Sequence, residues 1–134
     1  MRFPVPATAD DRRRFGLAAL MLGAGTMHFV SPRFFDELIP AALPGSARAW
    51  TYGSGVAELA AGALTLGPRT TRLGGWLTFA VLLGVYPGNI HDAISHAPTD
   101  AEGVARLVRL PLQIPLLWWA LRHARAAEGA SPQI

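Results

Sequence analysis

At 134 residues the chain has the length of one domain. Hydrophobic residues make up 51% and charged residues only 16%, with no cysteine, which excludes thiol–disulfide relays, thiolate metal sites and a disulfide framework. The net charge is +3, but all twelve basic residues are arginines scattered at the ends of apolar runs, so the reading is no nucleic acid and instead contact with a lipid bilayer.

Residues 1–14 are polar and proline-bearing and end in Arg12-Arg13-Arg14. The next run, 15–30, is apolar and leads into His28-Phe29 with no A-x-A cleavage site, which reads as a retained signal anchor and first span. Ser31-Pro32 then reads as an N-cap followed by proline at N1, opening a short amphipathic helix that Pro40 stops. Phe34, Phe35, Leu38 and Ile39 share one side of it, suited to an interfacial position or a lid over the bundle mouth.

The second span, about 49–66, contains one ionisable residue, Glu58. A carboxylate inside a span is expensive and is therefore a functional-site candidate. Helical spacing puts it on a stripe with Ser54, Gly55, Ala61 and Gly62, the small-residue face on which helices approach closely. A third span, about 73–90, is apolar on every side, unlike a soluble surface helix, and Tyr86-Pro87-Gly88-Asn89 is expected to break it. The fourth, about 104–121, carries Arg106, Arg109 and Gln113 along one face and is interrupted by Pro111 and Pro115. Residues 122–134 read as a mobile basic tail, with His123 at its surface.

The expected fold is therefore all-α: a four-helix transmembrane bundle spanning 15–121, with a short amphipathic interfacial helix between spans one and two. Arginines in the N-terminal segment, the 67–72 turn and the tail give an N-in, C-in orientation in the cell inner membrane. His28, Glu58, Asn89, Arg109 and Gln113 then fall in the outer half, leaving the inner half almost pure hydrocarbon. These five are the expected ligand-binding residues, with Glu58 paired to Arg109 and His28 beside them. A buried hydrogen-bonded staple with no ligand explains the same set. Asp92 with His96 as a metal site, and His28 with His91 as haem ligands, are weaker alternatives; no metal is assigned and no catalytic residue is named.

One resemblance emerges from the motifs. Gly25-Thr26-Met27-His28-Phe29 is followed by Pro32 and Phe35, Ile39-Pro40 and Leu43-Pro44. Then come Ser54-Gly55-Val56-Ala57-Glu58, Pro87-Gly88-Asn89-Ile90 and Arg109-Leu110-Pro111-Leu112-Gln113. In order and spacing this resembles the DoxX-like small membrane proteins, the group that includes MauE-type proteins. The resemblance implies a four-helix inner-membrane protein, in some relatives associated with electron transfer to quinone or with maturation of redox proteins. Two functions are carried forward: a redox-associated subunit binding a quinone or other small apolar molecule, and a non-catalytic assembly or maturation factor. The second would use a membrane or redox protein partner; homo-oligomers remain open, and a four-span transporter has little room for alternating access.

Overall fold

Helix boundaries in this chain follow its small hydroxyl and carboxylate side chains. In the computed structural model, which describes residues 8–96 and 98–126, α1 (Ala9–Val30) starts where the Thr8 hydroxyl accepts from Asp11 N at 3.1 Å. Asp10 and Asp11 stand in the first turn, where the helix dipole favours negative charge, and pair with Arg13 and Arg14 one turn on. Those local pairs carry the helix outward past the apolar run, so residues 9–14, expected to be a polar segment, are helical. Residues 1–7 and 127–134 lie outside the described residues.

Ser31 N–H bonds Met27 O and closes α1, and α2 (Pro32–Asp36) begins at the next residue. Ser31 and Pro32 thus take the N-cap and N1 places expected of them, although the Ser31 side chain makes no capping bond and α2 ends at Asp36, short of the expected stop at Pro40. α3 (Ala47–Leu66) opens on Ser46, whose hydroxyl accepts from Ala49 N. Its last carbonyls are taken by side chains: Thr70 Oγ1 donates to Leu64 O at 2.6 Å, Thr71 Oγ1 to Thr65 O and Arg14 to Leu66 O.

α4 (Thr71–Ser95) runs on through Pro87, where a break was expected. Proline withdraws one donor from the helical ladder. The carbonyl left without that donor is Leu83 O; Gln113 Nε2 of the next helix donates to the neighbouring Leu82 O at 2.5 Å and ties α5 to α4 just before the proline. α5 (Ala101–Ala126) begins where Asp100 accepts from Gly103 N and passes through both Pro111 and Pro115. It therefore extends beyond the expected 104–121 at both ends and takes in the first residues of the tail. His123, expected at the surface, is buried on it and bonds Trp119 O through Nδ1 at 3.1 Å.

The architecture is all-helical, with five helices and no strand among the described residues. α1 packs along α3 and α4 along α5; the α3–α4 seam joins the two pairs. Two helices, α4 and α5, are long and apolar enough to cross a membrane. α1 and α3 are comparable in length but not in apolarity: α1 spends its first turns on charges, and α3 is diluted by Thr51, Gly53, Ser54 and Glu58. Leu17, Leu82 and Ala120 form the core, with Phe79, Leu116 and Trp119 packed against them. Each large buried side chain there contributes roughly 1.5–3 kcal/mol.

The α1–α3 contact is set by glycine. A Cβ at Gly25 would lie 2.9 Å from both Gly55 O and Leu59 N, and a Cβ at Gly55 would lie 2.8 Å from His28 Cβ. Only hydrogen at both places lets the two backbones come this close. The approach brings His28, near the end of α1, against the middle of α3.

Candidate functional site

Glu58 is where that approach delivers its side chain. His28 Nδ1 lies 2.9 Å from Glu58 Oε2, and both side chains are only 8% exposed. The same nitrogen is 2.8 Å from Ala24 O. A carbonyl can only accept, so Nδ1 carries the proton and directs it at Ala24. Glu58 Oε2 sits close to that N–H but off its direction, and is left as a buried oxygen with no hydrogen-bond partner. The histidine ring is held by stacking on Phe35 of α2, with centroids 3.7 Å apart and planes 21° from parallel.

On the other helix pair, polar side chains form a chain. Arg109 Nη1 donates to Asn89 Oδ1 at 3.4 Å, Asn89 Nδ2 donates to Gln113 Oε1 at 2.8 Å, and Gln113 passes on to Leu82 O. The Arg109 guanidinium also lies 5.7 Å over the ring of Phe34. α5 achieves this by period: Arg109, Gln113, Leu116 and Ala120 recur at three- and four-residue steps on one face, while Val108, Leu112, Ile114 and Trp118 face outward.

Between the pairs is a cavity of about 580 Å³, and His28, Glu58, Asn89, Arg109 and Gln113 all line it. The structure thus brings the five expected residues to one wall system, drawn from α1, α3, α4 and α5. It does not form the expected Glu58–Arg109 ion pair. The glycine crossing puts His28 against Glu58, while Arg109 is engaged by Asn89 and Phe34 on the opposite wall.

Phe34, Phe35, Leu38 and Ile39, on the apolar side of the amphipathic segment, line the cavity as well. What fastens this segment was not visible in the sequence. Asp36 at the end of α2 accepts from Thr51 Oγ1 at 2.7 Å and from Arg48 Nε at 2.9 Å, both on α3. The Thr51 hydroxyl first, and Arg48 beside it, hold the Asp36 carboxyl below its ordinary range against a weaker opposing push from burial. The available signal was an acid directly after an aromatic pair, 12 residues before an arginine.

The weaker metal and haem readings meet a different geometry. Because α4 continues past Pro87, Asp92 is a helical residue, 2% exposed, with Oδ2 3.2 Å from Arg106 Nε and Oδ1 3.3 Å from His96. It clamps α4 to α5. No group of three or more metal-ligating side chains occurs among the described residues. His91 is exposed and lies outside the cavity that His28 lines.

No curated protein and no solved structure matches this chain. A family model does, over residues 17–124, a stretch that includes every cavity-lining polar residue described above. The chain belongs to the family described as a domain of unknown function, DUF8561.

Proposed function

We propose that this is a DoxX-like multi-pass protein of the inner membrane, N-in and C-in, whose four long helices form a transmembrane bundle around a binding site for a quinone or other small apolar molecule. The observation that carries the reading is the cavity itself. It is mostly apolar, yet a nine-tenths buried carboxylate without a hydrogen-bond partner stands on one wall and a guanidinium on the other. Its volume lies within the range of small-molecule sites. The membrane part is supported by the outward faces of α4 and α5. These helices are apolar, yet only 22% and 11% of their most apolar windows are buried within the chain, the reverse of a soluble core helix. The motif order, which resembles that of DoxX-like proteins, supports the association with redox proteins.

A short-chain quinone analogue, titrated against the protein in lipid nanodiscs in its oxidised and reduced forms, tests this. Arg109→Ala, which removes the donor on one wall, and Ser54→Trp, which fills the space beside Glu58, are each expected to weaken binding about tenfold or more. No binding by the wild type, or equal binding by wild type and both variants, refutes the site.

The alternative, a non-catalytic assembly or maturation factor, draws on the same outward apolar faces, which suit a partner's helix as well as lipid. Ile94 and Ile114 are 78% and 62% exposed. Retention of one membrane protein through gentle purification, with no small molecule in the extract, favours that reading.

A further inference from the structure

The walls of the cavity differ in hydrogen-bonding sense, and the difference specifies which end of a ligand goes where. On the α1–α3 side the free groups accept. Glu58 Oε2 is buried without a donor, and because Nδ1 of His28 is committed to Ala24, the imidazole's remaining nitrogen, Nε2, is an acceptor whenever the ring is neutral. Apart from the His28 Nδ1–H, 2.9 Å from Oε2 but directed at Ala24, no side-chain donor among the described residues bonds either atom. On the α4–α5 side the free groups donate. Asn89 and Gln113 use their carbonyl oxygens and one N–H each on one another, on Arg109 and on Leu82, while a guanidinium has five N–H donors and Arg109 spends one on Asn89.

From this we infer that the cavity selects a neutral apolar molecule carrying an O–H at one end, directed at Glu58, and an oxygen acceptor at the other, directed at Arg109. The inference rests on the cavity being a ligand site, as proposed above, and adds the chemistry of the ligand. For a quinone-type ligand it means preference for the reduced form. A quinol offers the hydroxyl that Glu58 lacks, whereas a quinone turns a carbonyl toward a carboxylate and leaves both acceptors without a proton between them. A net charge of either sign meets a like charge on one wall, Arg109 for a cation and Glu58 for an anion. The stack of His28 on Phe35 and the Arg109–Phe34 contact line the route between the two ends with flat rings, which suits a planar body.

Two pairs of probes that differ only in the hydroxyl test this without any variant. One pair is 2-naphthol and 2-methoxynaphthalene; the other is a short-chain quinol and its quinone. Each is titrated by calorimetry against the protein in nanodiscs, with empty nanodiscs as the baseline for partitioning into lipid. The hydroxyl-bearing member is expected to bind about tenfold more tightly or better, since a hydrogen bond to a buried carboxylate is among the stronger kind. Glu58→Gln, which keeps the side chain's shape while presenting an amide that can donate, is expected to reduce that ratio below about threefold. Binding of both members with equal affinity, or tighter binding of the ether and the quinone, overturns the inference and leaves the site standing. Binding of neither overturns the site and the inference together. A ratio unchanged in Glu58→Gln overturns the assignment of Glu58 as the acceptor.

Discussion

Replacing Gly25 by alanine tests the feature on which the cavity depends. The new methyl would sit 2.9 Å from Gly55 O, from Leu59 N and from Leu59 Cγ, while Gly23, two residues earlier on the same helix, has nothing within 4 Å of such a methyl. Carbon contacts are comfortable at about 3.5–4.0 Å, so α1 and α3 must part by roughly 0.6–1 Å at Gly25 and not at all at Gly23. Two of the three obstructing atoms are backbone and cannot rotate aside. Overpacking of this kind costs about 1–3 kcal/mol. Both substitutions gain the same helix propensity, about 0.8–1 kcal/mol, so that contribution cancels in the comparison. Gly25→Ala is therefore expected to be about 1–3 kcal/mol less stable than Gly23→Ala, with Gly23→Ala at or above wild type. Reversible unfolding by titration of sodium dodecyl sulfate into mixed micelles measures both. His28 lies one turn from the obstruction, so Gly25→Ala should also disturb its ring resonances in an NMR spectrum of imidazole-labelled protein. Equal stability of the two alanine variants would falsify the close glycine crossing.

The lid latch has its own pH signature. A carboxyl whose folded-state value is depressed contributes stability above its unfolded value and loses it as pH falls through the folded one. Asp36 is held below the ordinary 3.8, so the latch is expected to hold through the neutral range and release only below about pH 4, seen as faster amide exchange in α2. Thr51→Val removes the larger of the two restraints and should move that release to higher pH; an unshifted profile counts against the latch. At the α4–α5 clamp, Asp92→Leu leaves the Arg106 charge without its buried partner. It should cost about 3 kcal/mol, softened because Glu102 also contacts Arg106 at 2.8 Å. A loss below about 0.5 kcal/mol in the same unfolding assay would contradict a structural role for Asp92.

How far the sequence carried depends on whether a feature is local. Glu58 announced itself because a lone carboxylate in an apolar helix is conspicuous wherever it points. Helical period was enough to place Arg109 and Gln113 on one face. The helix start at Ser31-Pro32 is equally local. Partner choice was not: charge alone favours Arg109 for Glu58, whereas the observed neighbour follows from two glycines 30 residues apart meeting across a helix crossing. Pro87 looked terminal because its missing donor is visible in the sequence, whereas the packing of α4 along α5 that accompanies the unbroken helix is not. His123 looked superficial because it stands among arginines and alanines, yet a glycine at position 75 lets the end of α5 lie against α4 and bury it. Of the four expected spans, α4 and α5 are long and apolar enough to cross a membrane, whereas α1 spends its first turns on charges and α3 carries Thr51, Gly53, Ser54 and Glu58.

The two helix pairs meet closely where Thr65 packs on Gly74 beside the short turn between α3 and α4. The cavity is at the other end, which makes the molecule a pair of jaws with the pivot beneath. Glu58 stands 8 residues before the end of α3, a lever arm of about 12 Å. A change of about 5° at the turn therefore shifts the wall by about 1 Å, the margin between holding and losing a hydrogen bond. A tilt of one pair against the other would thus reach the cavity as a change in bite.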